Sequence, residues 1–152
     1  MKNSIHNQLI LDGTSNAIRT IIPLNMNIHP SFFMNEPYNQ QEIGVLIGFI
    51  GDIRGRIIID GLQTSFSQLA ANMFGMPIEG EILESFTGEF GNMLAGNICT
   101  YVGSQNINID ITPPTVMVGN TKLYGFEKAC HLPVTIDGVG ELTILFTIDD
   151  ED

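Results

Sequence analysis

The spacing of apolar residues changes period several times along this chain, and each change marks an element. Residues 4–22, "SIHNQLILDGTSNAIRTII", read as a helical region. Gly13 weakens its middle, and Pro23, which has no backbone N–H, ends it. Residues 25–41 are rich in Asn, Pro and Gln and predict an irregular connection with room for a short strand. Within it Phe32, Phe33 and Met34 look buried. Two apolar, β-branched runs follow, 43–50 and 56–59, on either side of "GDIRG", the pattern of a hairpin. Asp52 is read as turn chemistry, its side chain bonding its own backbone.

"TSFSQLAANMFGMP" predicts a second helix, with Thr64 or Ser65 as N-cap and Leu69 and Met73 on one side. Gly75 and Pro77 stop it. A long helix is predicted over about 80–102. After it, "INIDITPPTVMVGN" reads as a strand, and "FEKACHLPVTIDGVGELTILFTIDD" as two strands around "DGVG". Strands joined by hairpins imply an antiparallel sheet with helices packed on it, an α+β layer arrangement. No internal repeat is visible.

The long helix contains "GEFGNMLAGN", residues 88–97, with three glycines in ten positions. Each disfavours a helix interior by ~1 kcal/mol relative to alanine. At ~100° per residue, Ile82, Phe86, Phe90, Met93, Asn97 and Tyr101 share one sector, flanked by Leu83 and Leu94, and this is assigned to the core. Glu89 and Asn92 fall off one edge of it toward solvent, with Ser85 and Gly96 beside them. The opposite face carries Glu84, Gly88, Gly91, Ala95 and Cys99 and is nearly bare of side chains. Such a face admits a close neighbour: a partner protein, or a second helix of the same domain.

Composition narrows the function. The 152 residues fit one domain, 1–152, and the 43% hydrophobic share is that of a globular protein. No apolar run approaches the ~20 residues of a membrane span, and no charged leader precedes an apolar segment, so a cytoplasmic location is expected. The formal net charge of −11 speaks against nucleic acid and anionic membranes as partners, since these need Lys/Arg patches. The final "DDED", about 149–152, is expected as a frayed acidic tail. Cys99 and Cys130 form no CxxC and are expected as reduced, half-buried thiols. His6, His29 and His131 match no zinc spacing, so no metal site is visible; His131 is assigned to an edge strand or loop.

Glu89 and Asn92 are a poor self-contained catalyst. Asn is neither acid nor base, and Ser85 has no visible base to activate it. There is no nucleophile elbow and no phosphate-binding glycine loop. An amide can still orient water through one donor and one acceptor. Positioning is most of what phosphoryl transfer asks of a protein when metal and charge clamps are already present. Asn92 therefore suits a partner that brings its own metal and phosphoryl group, and Glu89 could clamp a cation on that partner.

With these residues in place, "GEFGNMLAGN" resembles the signature of the CheC/CheX/FliY family of chemotaxis phosphatases: Glu, two residues, then Asn, on a long helix, with Asp or Ser four before the Glu. Here these are Ser85, Glu89 and Asn92. "IGFIGDIRGRIIIDG" is similar to the family's first hairpin, "QLAANMFGMPI" to the short helix after it, and "INIDITPPTVMVGN" to its post-helix segment, so the likeness covers about 43–119. One motif, with no second in "LDGTSNAIRT", resembles the single-site CheX-like branch. The family pattern also places a proline a fixed distance after the Asn, and Pro113 and Pro114 stand one or two positions early.

The resemblance implies a CheC-like fold, an antiparallel sheet with two long helices packed on it, and homodimers associating through their sheets. It implies hydrolysis of the phospho-aspartate of a CheY-like response regulator. Asn92 would orient the attacking water and Glu89 would pair with the regulator's active-site lysine. Ser85, Gly88, Gly91, Ala95 and Gly96 would form the docking surface. The protein would need no cofactor of its own, Mg²⁺ coming with the regulator. Asn97 is assigned a structural hydrogen bond. The alternative is a non-catalytic regulator-binding or motor-switch adaptor on the same fold.

Overall fold

The computed structural model describes residues 2–126 and 128–149. The first helix, α1 (Lys2–Ile21), runs through Gly13 unbroken and stops before Pro23. The connection after it holds three short strands, β1 (Met26–Ile28), β2 (Phe32–Met34) and β3 (Tyr38–Asn39). The predicted hairpin is β4 (Ile43–Gly51) and β5 (Gly55–Gly61). Helix α2 (Gln63–Phe74) and the long α3 (Gly80–Gly103) follow. Then come β6 (Ile109–Ile111), β7 (Thr115–Val118), β8 (Lys122–Leu123), and the closing hairpin of β9 (Ala129–Ile136) and β10 (Gly140–Ile148).

The described residues form an antiparallel sheet in the order β1-β9-β10-β5-β4-β6, with β2 beside β9 and β7 beside β4. β3 and β8 make a separate ribbon. Alternation along each strand divides the sheet into two faces. Ile43, Val45, Ile47 and Phe49 of β4, Ile57 and Ile59 of β5, and Leu142, Ile144 and Phe146 of β10 face the helices and make the main core. Leu46, Ile58 and Leu145 face the other way, into a smaller cluster with Phe126, Tyr38 and Leu123. α1 and α3 pack against each other and against the sheet, as an α+β layer requires.

Several expectations are corrected. Phe32 and Phe33 are exposed, because β2 lies along the sheet's edge. His131 is on neither an edge strand nor a loop. It lies in β9 between β2 and β10, 3% exposed, with the Phe32 ring stacked on it at 5.3 Å. Its burial lowers the imidazole pKa. Neither Thr64 nor Ser65 caps α2: Leu62 holds that position, and the Gln63 N–H donates instead to Glu42 Oε1 at 2.8 Å. Gly75, left-handed at φ 83°, ends α2 as expected. Asp52 serves the turn by another route. Its carboxylate accepts the Asn108 N–H at 2.8 Å, and its own N–H donates to Asn108 O at 2.9 Å. Asp149 N–H donates to Arg54 O at 2.8 Å; the rest of the acidic tail lies outside the described residues.

The strand predicted after the long helix is in two pieces. On β4 the register slips by one residue between the pairs Phe49–Ile111 and Leu46–Thr115, which makes a bulge. Pro113 and Pro114, lacking N–H donors, stand inside it, where an edge strand tolerates them. Thr112 bridges the break: its N–H donates to Gly48 O at 3.0 Å, and its Oγ1 accepts the Gly48 N–H at 2.8 Å.

Candidate functional site

The roll of α3 about its axis decides which residues reach solvent. Its buried residues are Leu83, Phe86, Thr87, Gly88, Phe90, Gly91, Leu94, Ala95, Ile98 and Val102. The aromatic part is knit together, with Phe66 of α2 edge-on to Phe90 at 6.3 Å and Phe86 stacked on Phe90 at 6.1 Å. Burying a side chain such as Phe90 stabilises by ~1.5–3 kcal/mol.

The nearly bare face is therefore part of the core, which corrects the assignment of Gly88, Gly91 and Ala95 to docking. A Cβ on Gly91 would lie 2.5 Å from Val45 Cγ1 on β4. One on Gly88 would lie 3.1 Å from Val116 Cγ2 on β7 and 4.0 Å from Pro114 Cγ. Ala95 is fully buried. The glycines bring the helix backbone down onto a β-branched surface of its own sheet rather than onto a second helix. The large residues then fill the flank toward α2. Helix wheels weighted by side-chain size place the core too far toward that flank, and Ile82, counted as core, is exposed.

The remaining strip faces outward. It carries Ile82, Ser85 and Glu89, all exposed, then half-buried Asn92 and Gly96. Neighbours three or four apart in a helix stand ~5–6 Å apart at Cβ, so Glu89 and Asn92 are adjacent, with Ser85 one turn before and Gly96 one turn after. Gly96 differs from the packed glycines: nothing lies within 4 Å of where its Cβ would be. Neither Glu89 nor Asn92 bonds through its side chain to another described residue.

Asn97 gives the contrast. Its Nδ2 donates to Met93 O at 2.9 Å, so its carboxamide is spent on its own helix, as assigned from the sequence. Asn92 retains two donor hydrogens and a carbonyl acceptor for something outside the molecule. Cys99, one more turn along, is free, and burial with the nearby negative Asp110 pushes its thiol up to about 11, which keeps it from acting as a thiolate nucleophile. Among the described residues no three His, Cys, Asp or Glu side chains converge as metal ligands. No helix of the described residues is long and apolar enough to cross a membrane.

The strip presents an amide and a carboxylate side by side on a convex helix, with a serine hydroxyl one turn before them. That suits action on a reacting centre carried by another macromolecule.

Comparison with known proteins shows the family of the chain. The model of a family described as chemotaxis phosphatase CheX matches residues 43–135. That span includes β4, β5, α2 and the whole of α3. The CheY-P phosphatase CheX of Thermotoga maritima is 34% identical over 95 residues, 60% of this chain and 61% of that protein. Among solved structures, CheX of Desulfovibrio desulfuricans superposes with a TM-score of 0.76 at 17% identity, over 93% of this chain and 97% of that one. A CheX-CheY-BeF3-Mg²⁺ complex from Borrelia burgdorferi gives a TM-score of 0.73 at 20% identity, over 94% of this chain and 97% of that one. At these identities the solved structures establish the CheC-like fold.

Proposed function

Since the chain belongs to the chemotaxis phosphatase CheX family, we propose that it hydrolyses the phospho-aspartate of a CheY-like response regulator, with Asn92 orienting the attacking water. The observation that carries this reading is the free carboxamide of Asn92, beside the free carboxylate of Glu89 on the exposed strip of α3. The Thermotoga maritima relative bears the name CheY-P phosphatase, and the Borrelia burgdorferi assembly contains CheX, CheY, BeF3 and Mg²⁺. Both support the same assignment here.

In the proposed reaction the regulator brings the acyl phosphate and its Mg²⁺. Asn92 reaches into that centre and holds a water by one donated and one accepted hydrogen bond, in line with the scissile bond. The water oxygen attacks phosphorus. The bond between phosphorus and the aspartyl oxygen breaks, returning a carboxylate and releasing inorganic phosphate that carries the water's hydrogens. The contribution is positional, as phosphoryl transfer needs when metal and charge are already supplied. Glu89 pairs with the regulator's active-site lysine and fixes the approach of Asn92. Ser85 and Gly96 border the contact. A homodimer associating through its sheets belongs to the same proposal. It would leave the strip open, because α3 covers the other face of the sheet.

The test is phosphate release from a CheY-type regulator of the source organism fed with a small-molecule phosphodonor. Substoichiometric protein should raise steady-state release several-fold above the regulator's own rate. No increase with any regulator of that organism's set contradicts the reading.

A further inference from the structure

The corner between α2 and α3 carries an apolar patch that domain packing leaves uncovered. Ile82 is 65% exposed, Phe74 63% and Met76 61%. Phe86 joins them from below: the Phe74 ring stands edge-on to it at 5.6 Å, and Ile82 lies one turn before it on α3. The patch is continuous with the candidate site. Ile82 precedes Glu89 by two helical turns, ~10 Å, on the same side of the helix. The stretch of chain that carries it has one sign of charge. Glu79 and Glu81 stand beside Ile82 in the chain, Glu89 lies two turns on, and the sequence has no Lys, Arg or His between Arg56 and Lys122. An apolar centre inside a charged rim is the form of a protein-docking anchor.

We propose that Phe74, Met76 and Ile82 are a second contact for the response regulator, seating an exposed apolar side chain bordered by Lys or Arg next to the regulator's phosphorylated centre. The identity of the partner rests on the phosphatase reading above; the corner adds the means of choosing among regulators. Asn92 and Glu89 address groups that every phosphorylated regulator shares. The corner addresses a neighbouring surface on which regulators differ. An acidic border on the partner is repelled by Glu79, Glu81 and Glu89, and a polar residue at its centre leaves the patch in water.

The test uses the full chain with Ile82→Lys, Met76→Lys and the double variant, and Tyr124→Lys, in the exposed bend just after β8, as control. Each is titrated by calorimetry against the source organism's CheY-type regulators loaded with beryllofluoride and Mg²⁺, and assayed for hydrolysis over a range of phosphorylated regulator. Circular dichroism melts verify folding. The double variant should bind about tenfold or more weakly, with the loss falling on KM and not on the rate at saturating regulator. Tyr124→Lys should change neither. Unchanged affinity and KM in the double variant overturn the proposal, as does a loss confined to the saturated rate. Binding by the unaltered protein without hydrolysis would sink the phosphatase reading alone, and the same titration would still decide the corner. No binding to any regulator would overturn both.

Discussion

Gly91 rests on Val45 so closely that a Cβ would fall 2.5 Å from Cγ1 and 2.9 Å from Cγ2 of the valine. This contact sets the roll of α3. With Gly91 turned to the sheet, Asn92 is turned ~100° away from it, and Glu89 lies near the outermost line of the helix. The glycine acts on the site by fixing where its neighbours point, without touching any partner.

A methyl group at Gly91 must therefore displace Val45 or lift the helix. Overpacking of this kind costs ~1–3 kcal/mol, against ~1 kcal/mol gained from better helix propensity. Gly91→Ala should lower the free energy of unfolding in urea by about 1 kcal/mol, on the balance of these terms. Equal or higher stability would mean that the close approach does not govern the packing.

Gly96 should respond in the opposite way, since its Cβ would meet nothing. Gly96→Ala should raise stability by ~0.5–1 kcal/mol, the ordinary gain of alanine over glycine in a helix. Gly96→Leu should remain folded yet slow hydrolysis of the phosphorylated regulator, because the added bulk stands one turn from Asn92 where the partner approaches. Full activity of a folded Gly96→Leu protein would remove Gly96 from the docking surface.

The other face of the sheet holds a buried carboxyl, Asp60. Asp60 is buried on β5, where Tyr38 Oη donates to its Oδ2 at 2.5 Å and the Gln41 N–H at 3.0 Å. Burial raises the Asp60 pKa, outweighing the lowering by these donors, and burial with the neighbouring Asp60 charge raises that of Tyr38. A carboxyl raised on folding binds protons more readily in the native state. Its contribution to stability is complete below the unfolded value of ~3.9 and is lost as pH climbs through the raised native value. Asp60→Asn, which keeps an acceptor for Tyr38 but cannot ionise, should gain stability relative to the parent as pH rises through that window. Parallel pH–stability curves for the two proteins would show that Asp60 does not titrate as described. His131, depressed by burial, has a pH slope of opposite sign, but it is common to both proteins and cancels.

The three helices and two hairpins were legible because helix stops, hairpin turns and period-two runs are local signals: Pro23, Gly75, "GDIRG" and "DGVG" each mark a boundary that the chain obeys. The outward placement of Glu89 and Asn92, side by side on α3, was legible from their spacing. Features set by distant parts of the chain were not. The burial of Gly88 and Gly91 depends on Val116 and Val45, which come from strands far away in sequence. A helix wheel assigns its core by bulk, whereas a helix lying on a sheet can approach by its small residues. The interior place of His131 depends on β2 pairing with β9, across nearly a hundred residues. The exposure of Ile82 follows from the roll set by Gly91, and no local pattern announces it.

On the proposed reading Asn92 acts on the phosphoryl centre of another protein and holds nothing together in its own. The most direct measurement is the decay of a phosphorylated CheY-type regulator with the parent protein and with Asn92→Ala, run beside the affinity of both for the beryllofluoride-loaded regulator and their urea unfolding. The account predicts that Asn92→Ala loses about a hundredfold or more of the acceleration, as when a positioning group is removed, while stability and affinity stay close to the parent's. Decay that remains fast in the variant, or a loss that follows from unfolding, would contradict it.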